Sequence, residues 1–310
     1  MSSSSVPKVS ICIVSLDCRD VLRDCLNSLR AARGYGDWEI ILVDNASGDG
    51  TAESVSTDFP EVRLIRNDRN VGFTRATNQG FSIARGRNLL WLNPDTIVGP
   101  DSIERLIEFL EKTPRAGIVG PKVLNADGSF QQQCRRGLPS PSASLFHMLR
   151  FDRLWPASRT FGEYLLTYEP IEQGMQVVSV SGCCLLARRE VWDDIGPLDE
   201  KMFGFGEDID WCMRAAGAWE VWYCPESVIV HLKGRGGAHA RPYRKVRGIH
   251  QCMWLVYRKH LAWRYQSPVT LLVRIGIGVS LISSTLTVWL RQAGRWLFSL
   301  GGQSFDQRQL

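Results

Sequence analysis

This sequence predicts an α/β fold on a doubly wound, mostly parallel sheet, and three observations carry the prediction. Short apolar runs alternate with amphipathic stretches from residue 8 to about 124, the pattern of strands joined by crossover helices. The run 39–43 (EIILV) is almost continuously apolar, as in a strand buried on both faces. The polar clusters at 44–47 and 93–95 each follow directly on such a run. That is the carboxyl edge where open α/β sheets bind their ligands.

Residues 8–14 (KVSICIV) read as the first strand, running into a loop at Ser15-Leu16-Asp17. Residues 20–33 carry Val21, Leu22, Leu26 and Leu29 on one helical stripe. The second strand, 39–43, breaks into DNASGDGT at 44–51, a turn rich in helix-capping residues. A short helix over 51–56 and a third strand over 62–65 follow. Asn70-Val71-Gly72-Phe73 forms a loop before a helix through Ala76 and Ile83, and 89–92 is a fourth strand stopped by Asn93-Pro94-Asp95. In the next section, 118–123 reads as a strand, and Asp127-Gly128 in the turn 125–129 is a hairpin signal. Residues 135–170, of mixed polarity with several prolines, read as a variable insertion or loop. Then come a strand region at 177–187, a helical turn at 190–195, a turn at 196–200, a helix over 207–216, and short strands at 221–224 and 228–231.

With 44% hydrophobic and 22% charged residues over 310, the composition excludes disorder, collagen and a disulfide-stapled miniprotein. Nine cysteines form no C-x-x-C pair, so neither a zinc knuckle nor a redox dithiol is indicated. Most sit in apolar runs and are expected to be small core residues in a reducing compartment. The start, MSSSSVPKVS, has no apolar segment, so no secretory signal is expected. The net charge of +5 hides a split: the first 230 residues sum to −7, and residues 231–310 to +12. A basic tail calls for an anionic surface, either nucleic acid or a membrane leaflet. Sixteen uncharged residues at 275–290 decide for the membrane. Arg274 can snorkel, and Trp263, Trp289, Trp296 and Phe298 stand where interfacial aromatics belong. A helix lying in the membrane plane, or one shallow span, is expected; a buried helix packed on the domain is the alternative.

Three places carry chemistry. Asp95 ends an apolar strand in LLWLNPDT, where one carboxylate with substrate phosphates suits a hard divalent ion; a simple turn aspartate is the alternative. In GFGEDIDWCMR (204–214), three acids open a helix. Capping and an Asp210–Arg214 pair are structural explanations. The shared face of Asp208 and Trp211 instead offers a carboxylate beside an indole, a setting for a sugar ring. Gly204 and Gly206 permit an unusual backbone turn. His231 ends the strand VIVH and is a competent metal ligand, though a lone histidine is commonly structural. The glycine- and base-rich run 232–237 after it is either a loop that closes over a diphosphate or a mobile surface loop.

Together VSICIVSLD, VDNASGDGT, NVGFTRATNQG, LLWLNPDT, SGCCLLARREVWDDIGPLDEKMFGFGEDIDWCMR and His231 resemble glycosyltransferase family 2, and most closely its rhamnosyltransferase-like branch. The resemblance covers about residues 8–262 and implies a GT-A type, Rossmann-like fold. It implies a nucleotide-binding half (about 8–124) and an acceptor-binding half (about 125–262); a flexible start (1–7) and the basic, apolar membrane-associated tail (263–310) are expected to flank them. It implies nucleotide-sugar binding by Ser15, Asp44, Asn45, Ser47, Asn70, Gly72 and Asn93, with Asp44 on the base. Asp95 corresponds to the metal-binding acid of the D-x-D motif, whose first acid is here the amide Asn93, and His231 to a late metal-ligand histidine. The divalent cation is Mg²⁺ or Mn²⁺. Asp208 is implied as the catalytic base, with Glu207, and on the indole reading Trp211, binding acceptor. The implied activity is inverting transfer of a sugar from a nucleotide diphosphate donor to a polyprenyl-diphosphate-linked or polysaccharide acceptor, at the cytoplasmic face of the cell membrane. dTDP-rhamnose is the favoured donor and a UDP-hexose the runner-up. A nucleotidyltransferase would need a G-x-G-T-R loop after the first strand, and NAD binding a G-x-G-x-x-G; VSLDCRD supplies neither. A non-catalytic sugar-binding relative is the remaining alternative.

Overall fold

The computed structural model describes residues 6–202, 204–234 and 242–302, with backbone alone from 294. Residues 1–5 of the expected flexible start, Arg235, Gly236 and Gly237 of the loop after His231, the side chains of Arg295, Trp296 and Phe298, and residues 303–310 lie outside the described residues. The chain forms two compact units, Met1–His239 and Ala240–Leu310. The described residues 242–262 fall in the second unit.

In the first unit, β1 (Val9–Ser15), β2 (Trp38–Asp44), β3 (Arg63–Arg66) and β4 (Asn88–Leu92) are parallel neighbours. They are joined through α1 (Arg19–Arg30), α2 (Thr51–Asp58) and α3 (Phe73–Ile83). All seven residues of β1 are buried, which is why the strand reads as an unbroken apolar run. α1 buries Leu22, Cys25, Leu26 and Leu29, the stripe its spacing predicts.

Beyond β4 come β5 (Thr96–Val98), α4 (Ser102–Lys112) and β6 (Ala116–Leu124). β7 (Arg135–Arg136), α5 (Pro141–Met148) and α6 (Phe151–Leu154) follow, then β8 (Met175–Gln176) and β9 (Ser179–Val180). β10 (Cys184–Arg188), α7 (Arg189–Ile195), α8 (Glu207–Ala215) and β11 (Glu220–His231) complete the unit. The nine-stranded sheet runs β3-β2-β1-β4-β10-β6-β11-β5, with β8 also on β11. The first half is wholly parallel. β10 enters antiparallel between β4 and β6, and β5 and β8 pair antiparallel with β11. The two short strands expected at 221–224 and 228–231 are one strand, irregular between Cys224 and Val228. Pro225 lies there and has no N–H for the ladder.

The expected loop at 135–170 is a packed structure. Arg135 and Arg136 pair with Val180 and Ser179. α5 starts on a Ser140 cap, its hydroxyl accepting from Ala143 N (3.2 Å), with Pro141 in the first turn. The buried Arg135 guanidinium donates to Glu169 O (2.7 Å) and Pro170 O (2.8 Å) and lies 4.9 Å from the Tyr223 ring centroid. All nine cysteines are buried, and none is in a disulfide.

In the second unit, α9 (Pro242–Val256) and α10 (Ser267–Gly302) run against each other. His250 Nε2 lies 2.9 Å from Ser280 Oγ, Tyr257 Oη 2.9 Å from Thr270 Oγ1, and the Tyr243 hydroxyl donates to Gln292 (2.8 Å). Arg274 rests 5.8 Å from the Trp254 ring. Ser280 and Gln292 of α10 thus face α9 and Thr270 the residue just past its end, while Leu271, Leu272, Ile275, Val279, Ile282, Leu286, Trp289 and Leu290 are exposed. Residues Ser267–Ala293 are long and apolar enough to cross a membrane, with mean hydropathy 1.8.

Candidate active site

The carboxyl ends of β1 and β2 build the first part of the site. Ser15 and Asp44 are register partners. Asp44 is buried, and its carboxylate accepts from Ser15 Oγ (3.1 Å), Ser47 Oγ (2.5 Å) and Ser47 N (3.1 Å). Ala46, at φ +68°, turns the chain so that Ser47 folds back onto Asp44. The Asn45 amide accepts from Val71 N (2.9 Å) and donates to Asn70 Oδ1 (3.0 Å), which also accepts from Gly72 N (2.9 Å). Asn45 and Asn70 therefore brace the two loops that wall the crevice. Gly72, at φ +92°, opens α3 beside a cavity of about 170 Å³ lined by Val71, Thr74, Arg75, Glu200 and Met202.

The second part begins after β4, the neighbour of β1 in the sheet, and is completed by the end of β11. β5 and β11 pair with Thr96 opposite His231, which sets His231 beside Asp95. Asp95 Oδ1 lies 3.1 Å from His231 Nε2, and Asn93 Nδ2 3.4 Å from the same nitrogen. The other ring nitrogen is held by Gln131 Oε1 at 3.1 Å. Burial alone would lower the His231 pKa; Asp95 and Cys183 override it and raise the imidazole to about 10. At 3.1 Å the two groups share a direct hydrogen bond, so an ion held by both would take the place of the proton between them. Among the described residues, no group of three or more His, Cys, Asp or Glu side chains is placed to hold a metal ion. Asp95 and His231 would bring one carboxylate and one imidazole to an ion, beside diphosphate oxygens and water.

The third part is the start of α8. Gly204 and Gly206 adopt φ +85° and +78°, left-handed conformations that a side chain would strain. They deliver Asp208 to the β7–β9 ladder. Its Oδ2 accepts from Arg136 Nη1 (2.9 Å) and Gly182 N (3.0 Å). Glu207 is buried, and its Oε2 has no hydrogen-bond partner. Burial, and then the Asp208 charge, push its pKa to about 8. Asp210 and Arg214 form a buried i,i+4 pair at 3.0 Å, the structural alternative its spacing offered.

Trp211 corrects the sequence reading. It is fully buried, its indole N–H donates to Gly196 O (3.0 Å), and its ring lies 6.4 Å from Phe81. The indole is a core residue beneath α8 and has no surface to offer an acceptor.

Two short segments tie the second and third parts together. Gly182 N–H bonds Asp208, while the next residue, Cys183, accepts from Asn93 N (3.0 Å) and Thr96 Oγ1 (3.4 Å). Gln131 holds His231, and five residues on Arg136 holds Asp208. Asp95, His231 and Asp208, far apart in sequence, thus border the same two segments. Sequence reasoning missed Gln131, Arg136 and Gly182; the pair Arg135-Arg136 in an acidic body was the one available signal.

The Glycosyl transferase family 2 model matches residues 10–196. The chain is similar to the N-acetylglucosaminyl-diphospho-decaprenol L-rhamnosyltransferase of Mycobacterium tuberculosis, at 31% identity over 207 residues, 63% of this chain and 66% of that one. It is 28% identical over 263 residues to the O-antigen biosynthesis protein RfbC of Myxococcus xanthus, covering 83% of this chain and 19% of that one. The matches thus span less than two-thirds of these relatives. Among solved structures, mannosyltransferase PcManGT from Pyrobaculum calidifontis in complex with GDP-Man and Mn²⁺ has a TM-score of 0.58 at 15% identity, over 98% of this chain and 82% of that one. S. aureus TarS 1-349 has a TM-score of 0.53 at 13% identity, over 82% and 66%. These likenesses speak for the fold, and the GT-A type expectation holds.

Proposed function

The chain belongs to glycosyl transferase family 2, and from that premise we propose that it is an inverting glycosyltransferase. It moves a sugar, L-rhamnose before a hexose, from a nucleotide diphosphate to a lipid-linked or polysaccharide acceptor. The observation that carries this reading is that Gly182 N–H bonds Asp208 while the next carbonyl, Cys183 O, accepts from Asn93 N and Thr96 Oγ1, which flank Asp95. A base for the incoming hydroxyl and a site for the leaving diphosphate belong that close together.

The nucleotide base lies at the Asp44 turn, with Ser15 and Ser47 fixing the carboxylate. Asp95 and His231 would hold a Mg²⁺ or Mn²⁺, which when bound supplies positive charge to the departing nucleoside diphosphate. Gln131 aims the imidazole. Asp208 accepts the proton of the acceptor hydroxyl as its oxygen bonds to the anomeric carbon. The carbon–phosphate-oxygen bond breaks, the electron pair leaves with the nucleotide, and attack from the opposite face inverts the configuration. A carboxylate serves as the base because the attacking hydroxyl acidifies as its bond forms. Arg136 and the Gly182 N–H keep Asp208 in place, and a neutral Glu207 donates a hydrogen bond to the acceptor.

A donor panel tests the reading: purified protein, membrane extract, Mn²⁺ or Mg²⁺, and dTDP-rhamnose against UDP-hexoses. Acceptor-dependent release of dTDP is expected. UDP release reassigns the sugar, and no release from any donor makes the chain a non-catalytic relative.

The C-terminal helix anchors the protein at the membrane, where the lipid-linked acceptor lies. Deleting residues 268–310 is expected to shift the protein to the soluble fraction and to slow transfer to lipid acceptors more than to soluble ones. Unchanged fractionation would remove the anchor role.

A further inference from the structure

In the first unit, α5 and α6 carry apolar surface that the fold does not cover. Leu145 is 49% exposed, Met148 38%, Leu149 52%, Leu154 65% and Trp155 51%. Scattered single apolar residues are ordinary on a protein surface, whereas a contiguous group marks an interaction site. The group stands on a firm base. Phe146, Phe151 and Phe161 pack ring on ring, with centroids 4.9–6.0 Å apart, and Trp155 packs 5.2 Å from Phe161. His147 Nδ1 lies 2.7 Å from Asp152 Oδ2, tying α5 to α6.

Charge selects the partner. Asp152 is the one acid between residues 141 and 160, and it is buried against His147. The cations of the same stretch, Arg150, Arg153 and Arg159, are exposed. The result is an apolar face set among arginines, on a body whose first 230 residues sum to −7. A tryptophan and leucines beside arginines are the composition that seats at an anionic bilayer surface.

We propose that α5, α6 and the turn between them form a membrane-docking surface for anionic lipid. Leu149, Leu154 and Trp155 enter the boundary between headgroups and acyl chains, and Arg150, Arg153 and Arg159 meet the lipid phosphates. The segment is rooted beside the candidate base. It leaves the ladder directly after Arg136, and Gly137 N bonds Tyr164 O (2.9 Å) on its return. Docking therefore holds the surroundings of Asp208 at the bilayer. The value of that placement for a lipid-linked acceptor rests on the proposed function; the docking does not, and it is separate from the C-terminal helix.

The test uses the full chain carrying Leu154→Cys. All nine native cysteines are buried, so an environment-sensitive thiol dye labels position 154 selectively. Phosphatidylglycerol-containing vesicles are expected to shift its emission to the blue, phosphatidylcholine vesicles much less, and salt to weaken the shift. The triple variant Leu149→Ser, Leu154→Ser, Trp155→Ser, checked for native circular dichroism, is expected to partition roughly tenfold more weakly onto anionic vesicles. Vesicle-bound protein with an unshifted dye overturns the docking surface and leaves the C-terminal anchor standing. Protein that neither sediments with vesicles nor shifts overturns both. A blue shift in buffer that grows with protein concentration assigns the face to a second copy and also overturns the proposal.

Discussion

Asp208→Asn is expected to lower turnover by about 10²–10⁴-fold, the usual size of a general-base contribution, with donor affinity within about threefold of the parent. Asparagine keeps the shape and can still accept from Gly182 N, so the acceptor pocket survives. What disappears is the basic carboxylate that takes the hydroxyl proton, since an amide oxygen accepts a hydrogen bond but does not bind the proton at neutral pH. One complication is built into the fold. Asp208 is also the partner of Arg136, in a pair whose side chains are only 13% and 12% exposed. Removing one partner of a buried pair strands the other charge and can cost roughly 3–5 kcal/mol. Loss of activity in the single variant could then reflect unfolding. The double variant Arg136→Gln, Asp208→Asn removes both charges and separates the two effects. It is expected to recover thermal stability and to remain without transfer activity. Nucleoside diphosphate release and donor binding by calorimetry read the two quantities. Transfer at the parental rate by either folded variant would remove Asp208 from the base role.

The parts of this molecule legible from sequence share a physical cause. β1, β2 and β4 are buried on both faces and read as apolar runs, and their ends are marked by polar clusters that have no place in a core. Asp44 and Asp95 follow from that alone. The antiparallel course of β10 could not be read, because strand direction leaves no trace in the residues of a doubly buried strand. α4 was legible and was missed: Ile103, Leu106, Ile107 and Leu110 form a regular buried stripe. Trp211 shows the opposite limit. Helical spacing places it near Asp208, yet periodicity does not tell a ligand-facing side from a core-facing one. Arg136 was hidden because its role depends on a two-residue ladder closing across the long insertion, and Gln131 because it meets His231 from a hairpin 100 residues away in sequence. Such non-local pairing leaves no local pattern.

Asp95→Ala is expected to abolish direct Mn²⁺ binding to the donor-saturated protein and to lower turnover by about 10³-fold. The chain brings one carboxylate and one imidazole to this place, because Asn93 stands where the motif's first acid would be. Losing Asp95 removes the anionic half of the pair, and a single neutral imidazole is a poor site for a hard ion. Gln131→Leu is the graded companion. It leaves both ligands and removes the acceptor that orients the His231 ring, an outer contact worth about 10–100-fold in metal affinity. Its turnover should return toward the parental value as Mn²⁺ is raised, whereas that of Asp95→Ala should not. Titrations by Mn²⁺ electron paramagnetic resonance, read beside thermal melting, separate a metal site from a structural pair. Unaltered Mn²⁺ binding with a lowered melting temperature in Asp95→Ala would make the Asp95–His231 contact a fold-stabilising link. The diphosphate would then have to be neutralised by other groups at the carboxyl edge.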